Sequence, residues 1–245
     1  MHTEFNVETW QLYGTAVVVP NGSLDTGSYG TLRGAVMEVA SDEPRAVIVD
    51  LDRLWIDGTS TLKVFGTVSS ELAIWPGLPL LLVTTDVSLR QAFTSTPMRH
   101  GIPVHGSVEA AVDAVGEPPP RRIARLALPN SWANVELARD FVRECCERWG
   151  VDADRATDAM WIANEFVRST MKYTCGPPTI RVESRRDLLT VAVYDENPGL
   201  FEQASTGSPE GDTRGLSVVV HICHACGLSR TTSGGKVVWA AVRRR

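Results

Sequence analysis

From residue 152 to about 174 the residues Ala156, Ala159, Met160, Ala163, Phe166, Val167, Thr170 and Met171 recur at three- and four-residue steps. That period marks one buried face of a helix, and Asp152 supplies the oxygen that caps its first turn. Two alternating runs follow, 179–184 and 188–195, around the charged turn Arg185-Arg186-Asp187. They predict a hairpin whose second strand ends on Asp195. A polar loop then spans 197–212, a second helical stretch runs from Arg214-Gly215-Leu216 to about Cys226, and a strand at 236–242 carries Trp239. A long helix has to lay its apolar stripe on another layer, and the neighbouring strands offer a sheet to receive it. The helical spacing puts Glu165 and Ser169 one turn apart on the same face.

The first half has a different rhythm. Thr15 to Pro20, Ala46 to Leu51 and Pro79 to Thr84 are apolar runs of strand length. Helical patterns lie between them at 31–40, at 62–71 and, last, at 108–115. Strands alternating with helices predict a small α/β layer fold. The two patterns meet at Gly116-Glu117-Pro118-Pro119-Pro120-Arg121-Arg122, a short stiff spacer. We therefore expect an N-terminal domain at 1–116, a linker at 117–121 and a C-terminal domain at 122–245, each long enough to bury a core.

Up to Gly116 the chain has 6 Lys/Arg against 13 Asp/Glu, and beyond it 18 against 16. An acidic module tethered to a mildly basic one favours protein partners. The formal net charge of -5 argues against nucleic acid as the main ligand. No apolar run reaches the roughly 20 residues of a membrane span, and residues 1–6 lack the basic start of a secretory leader. A cytoplasmic location is expected. The five cysteines suggest no disulfide framework.

The order Glu165, Ser169, Asp195, Thr213-Arg214-Gly215-Leu216 and Gly234-Gly235-Lys236-Val237-Val238-Trp239 resembles the Bergerat-fold (GHKL) ATPase domain of the anti-sigma-factor serine kinases, in the actinobacterial style. The resemblance covers about Arg122 to the C-terminus and implies an α/β sandwich that binds ATP and Mg²⁺. It also implies roles. Glu165 corresponds to the base that polarises the acceptor hydroxyl, and Asp195 to the acceptor of the adenine amino group. Arg214, Gly215 and Leu216 correspond to the phosphate-side run. Ser169 stands where the family has the Asn that holds magnesium, Asn197 and Thr213 where it has glycines, and Val237 where it has a Thr beside the adenine.

These departures weaken a nucleotide pocket. Mg²⁺ takes octahedral oxygens at about 2.1 Å, and the Ser169 hydroxyl is shorter in reach than an Asn amide oxygen. Thr213 adds a branched side chain where backbone has to approach phosphate. A hydroxyl lost at Val237 costs on the order of 1–3 kcal/mol if a buried partner is left unpaired. Arg168 and Lys172 offer compensating positive charge on the same helix.

Gly22-Ser23-Leu24-Asp25 and the strand ending at Asp50, followed by Ile56-Asp57, resemble the STAS domain of anti-sigma-factor antagonists over about residues 4–115. In that family the residue after the matching Asp is the Ser that the kinase phosphorylates, and here it is Gly58. Thr59 is the alternative acceptor, with an ordinary helix-capping role as its competing reading.

His221-Ile222-Cys223-His224-Ala225-Cys226 contains a C-x-x-C, yet zinc needs four converging ligands, and no second Cys/His pair stands at suitable spacing. We read this segment as helical, with Val218, Ile222 and Ala225 as its buried stripe. The tryptophans read as core and contact aromatics, and Trp161, one turn before Glu165, as a border of the pocket. The functional expectation is a regulator of sigma-factor activity by partner switching, a STAS-ATPase fusion acting through protein contacts with a degenerate nucleotide pocket. Its expected partners are a sigma factor or STAS antagonists, with a homodimer left open. The alternatives are an active serine/threonine kinase and a non-catalytic ATP-responsive sensor.

Overall fold

The computed structural model describes residues 5–56, 62–95, 101–117, 120–129, 131, 133–173, 176–196 and 214–244. The chain divides into two compact units, Met1–Pro118 and Pro119–Arg245.

The first unit is a mixed α/β layer structure. Its elements are β1 (Asn6–Leu12), β2 (Thr15–Leu24), α1 (Tyr29–Ser41), β3 (Val47–Asp50), β4 (Leu54–Ile56), α2 (Lys63–Ile74), β5 (Leu80–Val83), α3 (Val87–Ser95), β6 (Val104–His105) and α4 (Val108–Asp113). The sheet runs β1-β2-β3-β5-β6, with β4 pairing on the far half of β2. β1 is antiparallel to β2, while β2, β3, β5 and β6 run parallel. Tyr13 and Gly14, with φ of 46° and 77°, make the tight reversal between the first two strands. On one face Ala111 and Val115 pack against Val17, Ile48, Leu81 and Val83. Val47, Val49 and Leu82 point the other way and are also buried, as parallel strands covered on both faces require. The Asp25 carboxylate accepts from the Gly27 and Ser28 amides at 2.8 Å, an Asx turn that launches α1.

The second unit is an antiparallel sheet under helices. It comprises β7 (Arg121–Ala127), α5 (Asn134–Trp149), α6 (Ala153–Tyr173), β8 (Thr179–Arg185), β9 (Leu188–Asp195), α7 (Arg214–Ile222), β10 (Ala225–Arg230) and β11 (Lys236–Arg243). The strand order is β10-β11-β9-β8-β7. Ala138, Val142, Cys145 and Cys146 of α5 and Ala159, Ile162, Ala163, Phe166 and Val167 of α6 form one core with Ile180, Val182, Leu189, Val191, Val193, Ala240 and Val242 of the sheet. Burying a side chain such as Phe166 contributes about 1.5–3 kcal/mol. α5 stops at Gly150, whose φ of 65° is a left-handed cap that glycine adopts without strain.

Two expectations change here. The hairpin turn is only Arg186-Asp187, because Arg185 pairs with Leu188 inside the ladder. The helix expected to reach Cys226 ends at Ile222, and Ala225–Arg230 is a strand hydrogen-bonded to β11. Within that helix Val219 is buried and Val218 is 48% exposed. The backbone groups of 225–230 find partners on β11 that a further helical turn would leave unused.

Candidate functional site

The α6 helix opens as its sequence requires. The Asp152 carboxylate accepts from the Asp154 amide at 3.0 Å, and the Ala156 amide donates to the Asp152 carbonyl at 2.8 Å. The buried stripe faces the sheet, which leaves Asn164, Glu165 and Ser169 half-buried on its flank and Trp161 and Arg168 outside. Glu165 is engaged on both oxygens. Asn164 Nδ2 donates to Oε1 at 3.0 Å, and an Arg168 guanidinium nitrogen lies 3.7 Å from Oε2. Trp161 is 57% exposed.

Asp195 is the last ladder residue of β9 and pairs in register with Lys236, the first of β11. By strand alternation Asp195 follows Val191 and Val193 on the helix-facing side, and Lys236 precedes Val238 and Ala240 there. The Lys236 ammonium lies 2.9 Å from Asp195 Oδ2, and the two side chains are 10% and 3% exposed. Oδ2 makes no aligned hydrogen bond, so we read this contact as charge attraction rather than a directed bond. Gly235 allows the strand ends to close this far, since a Cβ there would run into the Asp195 carbonyl oxygen and meet Glu196 Cα at 3.0 Å.

The same alternation corrects one residue. Val237, read as the adenine-side position, points to the face away from the helices, and Lys236 holds the helix-facing place. Sequence reasoning passed over Lys236. Its position directly after Gly234-Gly235 at the head of the last strand was the available signal.

The backbone of Arg214, Gly215 and Leu216 forms the start of α7. Gly58, Thr59, Asn197 and Thr213 lie outside the described residues. Around Glu165 and Ser169 the donor set is one engaged carboxylate, one neutral hydroxyl and the Asn164 amide, whose nitrogen is turned to Glu165, a poor fit to Mg²⁺, which prefers carboxylate and phosphate oxygens. Among the described residues no group of three or more His, Cys, Asp or Glu is placed to hold a metal ion, and no helix is long and apolar enough to cross a membrane.

The face of the sheet turned from the helices carries buried charge that the sequence reading did not single out. Arg181 bonds to Glu183, and Arg185 Nε lies 3.4 Å from Glu183 Oε1. Burial pushes the Arg185 guanidinium below its ordinary pKa, partly offset by Glu183.

The second unit thus combines an antiparallel sheet, helices on one face of it, an acid on α6 and an acid ending β9. Residues 128–242 match the family model of the histidine kinase-like ATPase domain. The match falls within the second unit and spans most of it. No curated protein matches the chain. Among solved structures, an anti-sigma factor antagonist from Mycobacterium paratuberculosis is similar at 20% identity, covering 46% of this chain and 94% of that one with a TM-score of 0.38. The phosphorylated Bacillus cell fate determinant SpoIIAA is similar at 19% identity over 46% of this chain and 99% of that one, TM-score 0.34. The RsbU and RsbW domains of a Mycobacterium tuberculosis protein are similar at 14% identity over 56% of this chain and 39% of that one, TM-score 0.39.

Proposed function

We propose that this chain is a STAS-ATPase fusion that regulates sigma-factor activity by partner switching, acting through protein contacts while its ATPase domain binds Mg-ATP weakly and does not transfer phosphate. The observation that carries this reading is the Asp195–Lys236 pair. An adenine amino group seeking Asp195 has to share a buried carboxylate with an ammonium 2.9 Å away, and a desolvated pair of this kind is costly to disturb. Glu165 supports the same conclusion, because a general base needs a carboxylate oxygen open to the acceptor hydroxyl, and both of its oxygens face donors from its own helix. The acidic first unit, with its mixed sheet, supplies the STAS half and the surface for a sigma factor or antagonist.

Calorimetric titration of the full chain with ATP and Mg²⁺ tests the pocket, and incubation with labelled ATP and a STAS antagonist tests transfer. The expected result is a dissociation constant of about millimolar or weaker, no labelled antagonist, and a complex with antagonist or sigma factor that forms without nucleotide. Tight binding together with label on the antagonist would make the chain a kinase and overturn the proposal.

A further inference from the structure

Cys223 and Cys226 lie where α7 hands over to β10. α7 ends at Ile222, the chain bends at His224, and β10 begins at Ala225. The His224 amide donates to the Ala241 carbonyl at 2.7 Å, which anchors the bend to β11. Cys226 is the register partner of Ala240 and so stands on the helix-facing side of an edge strand. Cys223 Sγ donates to the Val220 carbonyl at 3.9 Å, and only His224 and Ala225 separate it from Cys226 across the bend. Both are free thiols; Cys226 is exposed and Cys223 partly so, whereas Cys145 and Cys146 are buried in the core.

We propose that Cys223 and Cys226 form a reversible dithiol–disulfide pair, a redox modification site that pins the end of α7 to β10. Proximity and access are the two requirements for such a pair: one bend and three residues of chain bring the cysteines together, and Cys226 is exposed and Cys223 partly so. Burial, and then the neighbouring thiol, push Cys223 up to about 12, so the exposed Cys226 is the first to react. With a low-molecular-weight disulfide as oxidant, the Cys226 thiolate attacks one of its sulfurs and expels the other as a thiolate, leaving a mixed disulfide on Cys226. Cys223 then gives up its proton and attacks Cys226 Sγ, closing the intramolecular bond and expelling the second thiolate. Two protein thiols are oxidised, one external disulfide is reduced to two thiols, and the two protons leave with them. Zinc is the competing use of a C-x-x-C, but it needs four ligands.

The full chain is incubated with oxidised glutathione, the remaining thiols are blocked, and the digest is read by mass spectrometry. Cleavage after Arg214 and Arg230 places both cysteines in one peptide. The expected result is that peptide lighter by two hydrogens, restored by reductant, with a loss of two of the chain's five thiols. Cys223→Ser is expected to stop at a glutathione adduct on Cys226, and Cys226→Ser to leave Cys223 reduced. A wild-type peptide that stays reduced, a stable glutathione adduct without ring closure, or stoichiometric zinc held by these thiols would each overturn the proposal.

Discussion

Replacing Lys236 by Met removes the ammonium from the end of β11 and keeps most of the apolar stem. Asp195, 3% exposed, then loses the cation that stood 2.9 Å away. Stripping one member from a buried pair costs about 3–5 kcal/mol, because the surviving charge stays desolvated. The lower end, about 3 kcal/mol, applies here because the Lys236 side chain is 10% exposed and water can reach the strand end. Asp195→Asn is expected to cost less, about 1–2 kcal/mol, since a lysine can swing its head to solvent on a flexible stem. With both changed no charge is stranded, and the double variant should lose only about 1 kcal/mol, a coupling of about 3 kcal/mol. Urea unfolding of the full chain gives the energies, and hydrogen exchange on β9 and β11 peptides assigns the transition to the second unit. Equal losses for Lys236→Met and the double variant, or a Lys236→Met loss within about 0.5 kcal/mol, would show the pair to be water-screened and worth little. The case for a pre-engaged Asp195 would then fall.

Ser169→Asn restores the longer oxygen-bearing side chain one turn from Glu165 and should strengthen Mg-ATP binding by about 1–2 kcal/mol, up to roughly thirtyfold; an unchanged calorimetric constant would count against a weakened magnesium position. Gly235→Ala drives a Cβ into the Asp195 carbonyl and should cost about 1–3 kcal/mol, read as a lower midpoint of thermal unfolding. The Cys146 thiol is raised from 9.0 to about 12, by burial first and then by Cys145. The folded state thus holds its proton more tightly than the unfolded chain, so this contribution to stability is intact below about pH 9 and declines as pH rises through about 12. Alkaline denaturation should soften above pH 9 and do so less in Cys146→Ala, and unchanged alkaline curves would contradict the assignment.

The strongest local signals concern elements that bury one face continuously. The stripe from Ala156 to Met171 and its Asp152 cap predict α6 to within a residue or so at each end, and the alternating runs place Asp195 at the end of β9. The runs around Val47 and Leu80 likewise become β3 and β5, buried on both faces. Elements with weak local signals went unread. β1 is an edge strand with most of its side chains exposed, β4 has three residues, and β7 alternates only partly buried positions. None buries enough apolar surface to print a clear period on the sequence.

The site divides along the same line. Glu165, Ser169 and Asp195 are legible as residue types at fixed spacing on a helix and a strand end, and the short hydroxyl of Ser169 is a property of sequence alone. What they touch is not. Lys236 meets Asp195, Val237 turns away from the helices, and Cys226 belongs to a strand rather than a helix because of the ladder register among β9, β10 and β11. Register is a long-range choice, set by how three strands distant in the chain satisfy one another's amides and carbonyls, and a shift of one residue would send each of these side chains to the opposite face.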